Sequence, residues 1–129
     1  MKSKHREARS VDTTVQRQAL VAVAATLAIA ELVDAPSNDP AVPGIIFGLV
    51  VLAGAVWAWR STGVGAPILL GVLGVLEFLG VVFVYRTATG APPPWVLWIF
   101  GLLSLAVVVG AVVCLITRTT VARGRVGTA

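Results

Sequence analysis

Charge, histidine and cysteine are what this chain has least of. Charged residues make up 12% of its 129 positions, about half of the share carried by a soluble domain, so a water-facing surface cannot be assembled around a core. A single cysteine, Cys114, excludes an intrachain disulfide, and its place in an apolar run makes it a small packing residue. The one histidine, His5, stands in a basic N-terminal segment. No His-rich metal cluster or catalytic triad can be built around it, and no Ser or Cys is set beside a base. The glycines fall in apolar runs or short turns and form no phosphate-cradling loop. These shortages leave the expectation of a chain that is not an enzyme and has no cofactor and no metal site.

What is present is apolar. Hydrophobic residues account for 57% of the chain and the mean hydropathy is +0.93, which selects a multi-span membrane protein. Four uncharged or nearly uncharged runs cover about 17–34, 43–60, 67–85 and 95–117. At about 1.5 Å per residue each matches a hydrocarbon layer of about 30 Å, the first two being the shortest. All seven prolines lie between the runs or in their opening turns, with Pro43, Pro67 and Pro94 where helices are expected to begin. A helix start tolerates a missing backbone donor, so the prolines mark boundaries independently of hydropathy. The fold class expected is all-α, with four transmembrane helices in an antiparallel up-down bundle spanning 17–118.

The excess of ten basic over six acidic residues gives a net charge of +4 and a pI near 10.2. In a soluble protein this suggests nucleic acid; here the basic residues bracket apolar runs, and no nucleic-acid partner is expected. With four spans, Lys2, Lys4, Arg6, Arg9, Arg17, Arg60, Arg118, Arg123 and Arg125 fall on one face, and Arg86 on the other. The positive-inside rule then puts both termini in the cytosol and the chain in a cell membrane, inner or plasma. Trp57 and Trp59 at the inner interface, with Tyr85, Trp95 and Trp98 at the outer one, read as aromatic anchors. The segments 1–16 and 119–129 are basic and weakly periodic, and read as unstructured cytoplasmic tails held near anionic lipid. Ala28-Ile29-Ala30 before Glu31 fits a signal-peptidase pattern, but A-x-A is expected by chance in such an alanine-rich run; the first helix is read as uncleaved.

Within this apolar sequence Glu77 stands out, eleven residues into the third run. A charged acid at that depth costs about 2.5–3.5 kcal/mol even on the lenient insertion scale, so the group is expected to be protonated or attended by a donor. Counted from the inner ends, Thr26, Glu77 and Ser104 lie roughly 14, 16 and 20 Å deep and Glu31 roughly 20 Å. Two readings follow. The four residues line a proton or cation relay, or Glu77 merely fixes helix packing through a hydrogen bond to Thr26, Ser104 or a backbone carbonyl, a bond of about 0.6 kcal/mol. Leu27–Val33 parallels Leu73–Leu79, each with an acid at its fifth position, a faint repeat of the kind expected from duplication. Gly44 and Gly48, Gly71 and Gly74, and Ala106 and Gly110 are small-residue steps that let helices approach, chiefly within one chain. Glu31, Asp34 and Asp39, with Arg86 in the next outer loop, read as a solvated acidic loop.

In length and span count the chain resembles the small multidrug resistance transporters. Their essential glutamate lies well inside helix one, whereas Glu31 is toward the outer end of its run and Glu77 is in the third; the likeness stops at size. Richness in Ala, Val, Gly and Arg gives the chain a bacterial look. The function expected is therefore that of a non-catalytic accessory or interaction subunit that meets another membrane protein or a second copy of itself; the alternative is a small oligomeric proton- or cation-coupled transporter using an intramembrane glutamate.

Overall fold

The computed structural model describes the backbone of residues 2–37, 41–85 and 93–127, and side chains within 14–37, 41–84 and 93–117. Asp39 and Arg86, the side chain of Tyr85 and the basic side chains of both tails lie outside the described residues. The described chain is helical throughout: α1 (Lys2–Asp34), a short 3₁₀ turn (Ala35–Ser37), α2 (Val42–Arg60), α3 (Gly65–Leu79) and α4 (Pro94–Gly127). Four stretches, Thr14–Ser37, Val42–Arg60, Gly65–Val84 and Pro94–Thr117, are long and apolar enough to cross a membrane. They agree with the expected runs to within three residues.

Apolar composition produces helices here because a backbone in lipid must satisfy its own polar groups, and a helix does so within one segment. Pro43, Pro67 and Pro94 fall in the opening turns, where the first N–H groups have no intrahelical partner to lose. The first available donors close onto the residue before each helix: Ile45 N–H on the Ala41 carbonyl (3.2 Å), Ile68 on Val64 (3.1 Å), Val96 on Pro93 (3.0 Å). Between α2 and α3 the Trp57 ring covers Gly65, where a Cβ would lie 2.8 Å from the indole. Only glycine admits that stacking, which makes the turn at 61–64 tight.

Three boundaries depart from expectation. The helices continue into the tails, α1 from Lys2 and α4 to Gly127; Lys, Arg, Glu and Ala favour this in the N-terminal segment, and no proline interrupts either one. In the third span the α-helix stops at Leu79 and the chain goes on as a π-helical stretch, Gly80–Tyr85. A glycine followed by the β-branched Val81, Val82 and Val84 is a weak site for a regular turn. The Gly80 N–H is shared between the carbonyls of Leu76 and Glu77, one turn from the buried acid.

The helices pack in a ring. α1 lies against α2 and α4, α3 lies against α4 and more lightly against α2, and α1 and α3 occupy a diagonal. The centre is built from small and medium side chains, among them Leu20, Ala24, Leu27, Ala55, Leu70 and Val107. Large side chains such as Ile29, Ile46, Val72, Leu102 and Ile116 point outward. In water such a surface would aggregate; facing lipid it costs nothing, and attraction between helices comes from close packing at small residues.

Gly44 meets Ala35, Gly48 meets Leu32 and the Ala28 carbonyl, Gly71 meets Ala111, Gly74 meets Val107, Val108 and the Ser104 carbonyl, and Gly110 meets Leu20. Ala106 is exposed, so its step with Gly110 does not form a continuous contact. It sits at the edge of the stripe Phe100, Ser104, Val107, Ala111 that turns inward, and the phase of the helix carries it out.

Candidate functional site

Helical phase places both span acids on core faces. On α1 the buried positions are Leu20, Ala24, Leu27, Ala28, Glu31 and Ala35, a stripe of three- and four-residue steps. On α3 they are Leu70, Gly74, Glu77 and Val81, the same rhythm. The two stripes face across the diagonal, and the carboxyl groups of Glu31 and Glu77 come within hydrogen-bonding reach of each other. Glu31 is 8% exposed and Glu77 4%, so water does not separate them from the apolar layer around them.

The electrostatics of the pair are one-signed. The charged groups acting on Glu31 are acids, Glu77 from α3 and Asp34 from the next turn of its own helix. The described cations stand elsewhere: Arg60 ends α2, and Arg17, midway along α1 and near the start of its apolar stretch, donates from Nη1 to the Ser61 carbonyl at 3.5 Å, a cation at a helix C-terminus. Two carboxyl groups can share a hydrogen bond only if one of them supplies the hydrogen, and two carboxylates in that position cannot both be ionised. The arrangement therefore holds at least one proton. One acceptor remains over, since Glu31 Oε1 is buried and has no partner.

The pair lies beyond the middle of each span. Glu77 is the thirteenth of the twenty residues in Gly65–Val84 and Glu31 the eighteenth of the twenty-four in Thr14–Ser37. Asp34 is half-buried at the end of α1, where Ser37 Oγ donates to its carbonyl at 2.6 Å and approaches its Oδ1 at 3.3 Å.

The other expected members of the site do not converge equally. Ser104 is fully buried on the core stripe of α4, and its hydroxyl donates to the Gly101 carbonyl of its own helix at 2.9 Å. Thr26 is exposed, and its hydroxyl donates to the Ala22 carbonyl at 2.8 Å, away from the acids. Equal depth did not bring Thr26 to the interior, because it lies one position before Leu27 and points outward. The direct meeting of the two glutamates was not anticipated from the sequence, although the phase of small and apolar residues upstream of each acid carried the signal. Of the aromatic anchors, Trp57, Trp59, Trp95 and Trp98 are exposed.

Among the described residues no group of three or more His, Cys, Asp or Glu is placed to hold a metal ion. A shallow groove of about 360 Å³ on the outer side of α3 and α4, lined by Pro67, Gly71, Val75, Val108, Ala111 and Leu115 among others, is wholly apolar. It offers nothing to orient a polar ligand. No protein family, curated protein or solved structure matches this chain; the multi-pass membrane class follows from its four apolar helices.

Proposed function

We propose that the protein is a small proton-linked transporter of the cell membrane, with no catalytic step of its own, and that the Glu31–Glu77 pair carries its proton. One observation carries this reading: two carboxyl groups buried in contact across the bundle diagonal, with Glu31 Oε1 unpartnered. A packing device gains most when every buried polar atom is satisfied. A site that loads and unloads a proton needs a spare acceptor.

The topology that goes with it is an up-down bundle with cytosolic termini. Supporting the alternation, Ala35, just past the end of α1, meets Gly44 in the first turn of α2, and Arg17, near the start of the first apolar stretch, reaches Ser61 just past the end of α2. The positive-inside count supports the orientation. The lipid bilayer is the first partner, with anionic lipid at the basic tails, and a homo-oligomer is the expected assembly. The decisive experiment uses proteoliposomes containing a pH-sensitive dye. The parent protein should take up protons under an imposed gradient and Glu77→Gln should not; equal uptake by both would end this reading.

A second reading, an accessory subunit that meets another membrane protein, is favoured by the sealing of Glu77 at 4% exposure. In that case the pair acts as a fastener between α1 and α3. Crosslinking in the native membrane followed by mass spectrometry should then recover a reproducible partner.

A further inference from the structure

Beyond the pair itself, the end of α1 holds a third carboxyl group that packing alone does not require. Asp34 follows Glu31 by three residues, so the two side chains lie on one helix face with Cβ atoms about 5–6 Å apart, close enough for the Asp34 carboxyl to act on Glu31. Asp34 is half-buried where α1 gives way to the 3₁₀ turn, and the Ser37 hydroxyl ties down both its carbonyl and its carboxylate. Glu31 has its unpartnered Oε1 at a residue more than nine-tenths buried. Of the elements packed around Glu31, α3 presents Glu77, α2 carries its one charge at Arg60 on the far end, and α4 has no charged residue within Pro94–Thr117. No described cation therefore interrupts the acidic line from Glu77 through Glu31 to Asp34.

We propose that Asp34 is the relay through which the buried pair exchanges its proton with water at the end of α1. The inference rests on the pair being a proton site. In the loading direction the Asp34 carboxylate takes a proton from water. Its O–H bond then breaks as a new O–H bond forms at Glu31 Oε1, directly or through one water molecule. Glu31 releases the hydrogen held on its other oxygen to Glu77, and Asp34 returns to carboxylate. One proton enters and no electron moves; unloading is the reverse.

The test is infrared spectroscopy on the full-length protein in liposomes. The protonated-carboxyl band that Glu77→Gln removes is followed after transfer into deuterated buffer. Asp34→Asn should keep the band and slow its deuterium shift about a hundredfold, the lower end of what a positioned proton donor contributes, and Asp34→Glu should retain the parent rate. An unchanged rate in Asp34→Asn overturns the relay and leaves the proton site standing. Failure of Asp34→Glu to restore the rate shows that the substitution acted through packing, and also overturns it. If the parent has no band that Glu77→Gln removes, the proton site falls and the relay with it.

Discussion

The α1–α2 pair and the α3–α4 pair place an acid in the same local setting. In each, a small residue three positions before the acid is pressed against the following helix: Ala28 with its carbonyl beside Gly48, and Gly74 against Ser104. Beyond the acid they differ. α1 runs three more residues to Asp34 and ends in a tied turn, whereas α3 opens into a π-helical stretch without another acid. One pair offers its glutamate a carboxyl neighbour toward water; the other offers a loosened backbone. In the proposed proton site the two similar frames would form an end that connects and an end that yields, π-helical turns being common where a helix does work.

The comparison is broken most severely by leaving one acid alone. Glu77→Leu should strand the Glu31 carboxyl in an apolar layer and cost up to about 3 kcal/mol, while Glu31→Leu/Glu77→Leu together should recover most of that loss, since replacing both partners is nearly neutral. Reversible unfolding in mixed detergent micelles, followed by circular dichroism, measures the cycle. Additive losses would mean that the two glutamates do not interact.

The frames themselves come next. A methyl at Gly74 would lie 2.9 Å from Val108 Cγ2 and 3.1 Å from the Ser104 carbonyl, a stiff side chain and a backbone atom. At Gly48 the nearest atoms, at 2.9 and 3.0 Å, belong to the more pliable Leu32 side chain. Gly74→Ala should cost about 2 kcal/mol and Gly48→Ala about 1 kcal/mol in the same unfolding assay. A reversed order would show that the α3–α4 contact is the softer one.

Smaller effects sharpen the inside-outside distinction. Ser104→Ala should lose about 0.6 kcal/mol with its buried hydroxyl bond and Thr26→Ala close to nothing, although both hydroxyls bond their own helix. Least of all, Arg17→Ala should cost about 0.3–1 kcal/mol at the C-terminus of α2, with the loss shrinking as salt is added.

The number of apolar spans and the openings of α2, α3 and α4 were legible in the sequence because each depends on local chemistry: an apolar run needs a helix to satisfy its backbone in lipid, and a proline marks where one can begin; the helical run of α1 back to Lys2 and of α4 on to Gly127 was not. The π-helical stretch at Gly80–Tyr85 was not, since its weak turn shows no break in hydropathy. Of the site, Glu77 announced itself as a lone acid in a span, and Glu31 was placed at about its level. One of the two readings put them in a shared site, but their direct contact was hidden. Depth follows from counting residues, whereas direction around the helix axis depends on which neighbour each face meets.

Thr26 and Glu31 show the division most clearly. Sequence by itself determined that this chain is helical, crosses a bilayer, and carries acids at a depth where ionisation is costly. Tertiary structure decided that Glu31 turns inward to touch Glu77 while Thr26 turns out to lipid, because close approach at Gly48, Gly74 and Gly110 sets the rotation of each helix against the next.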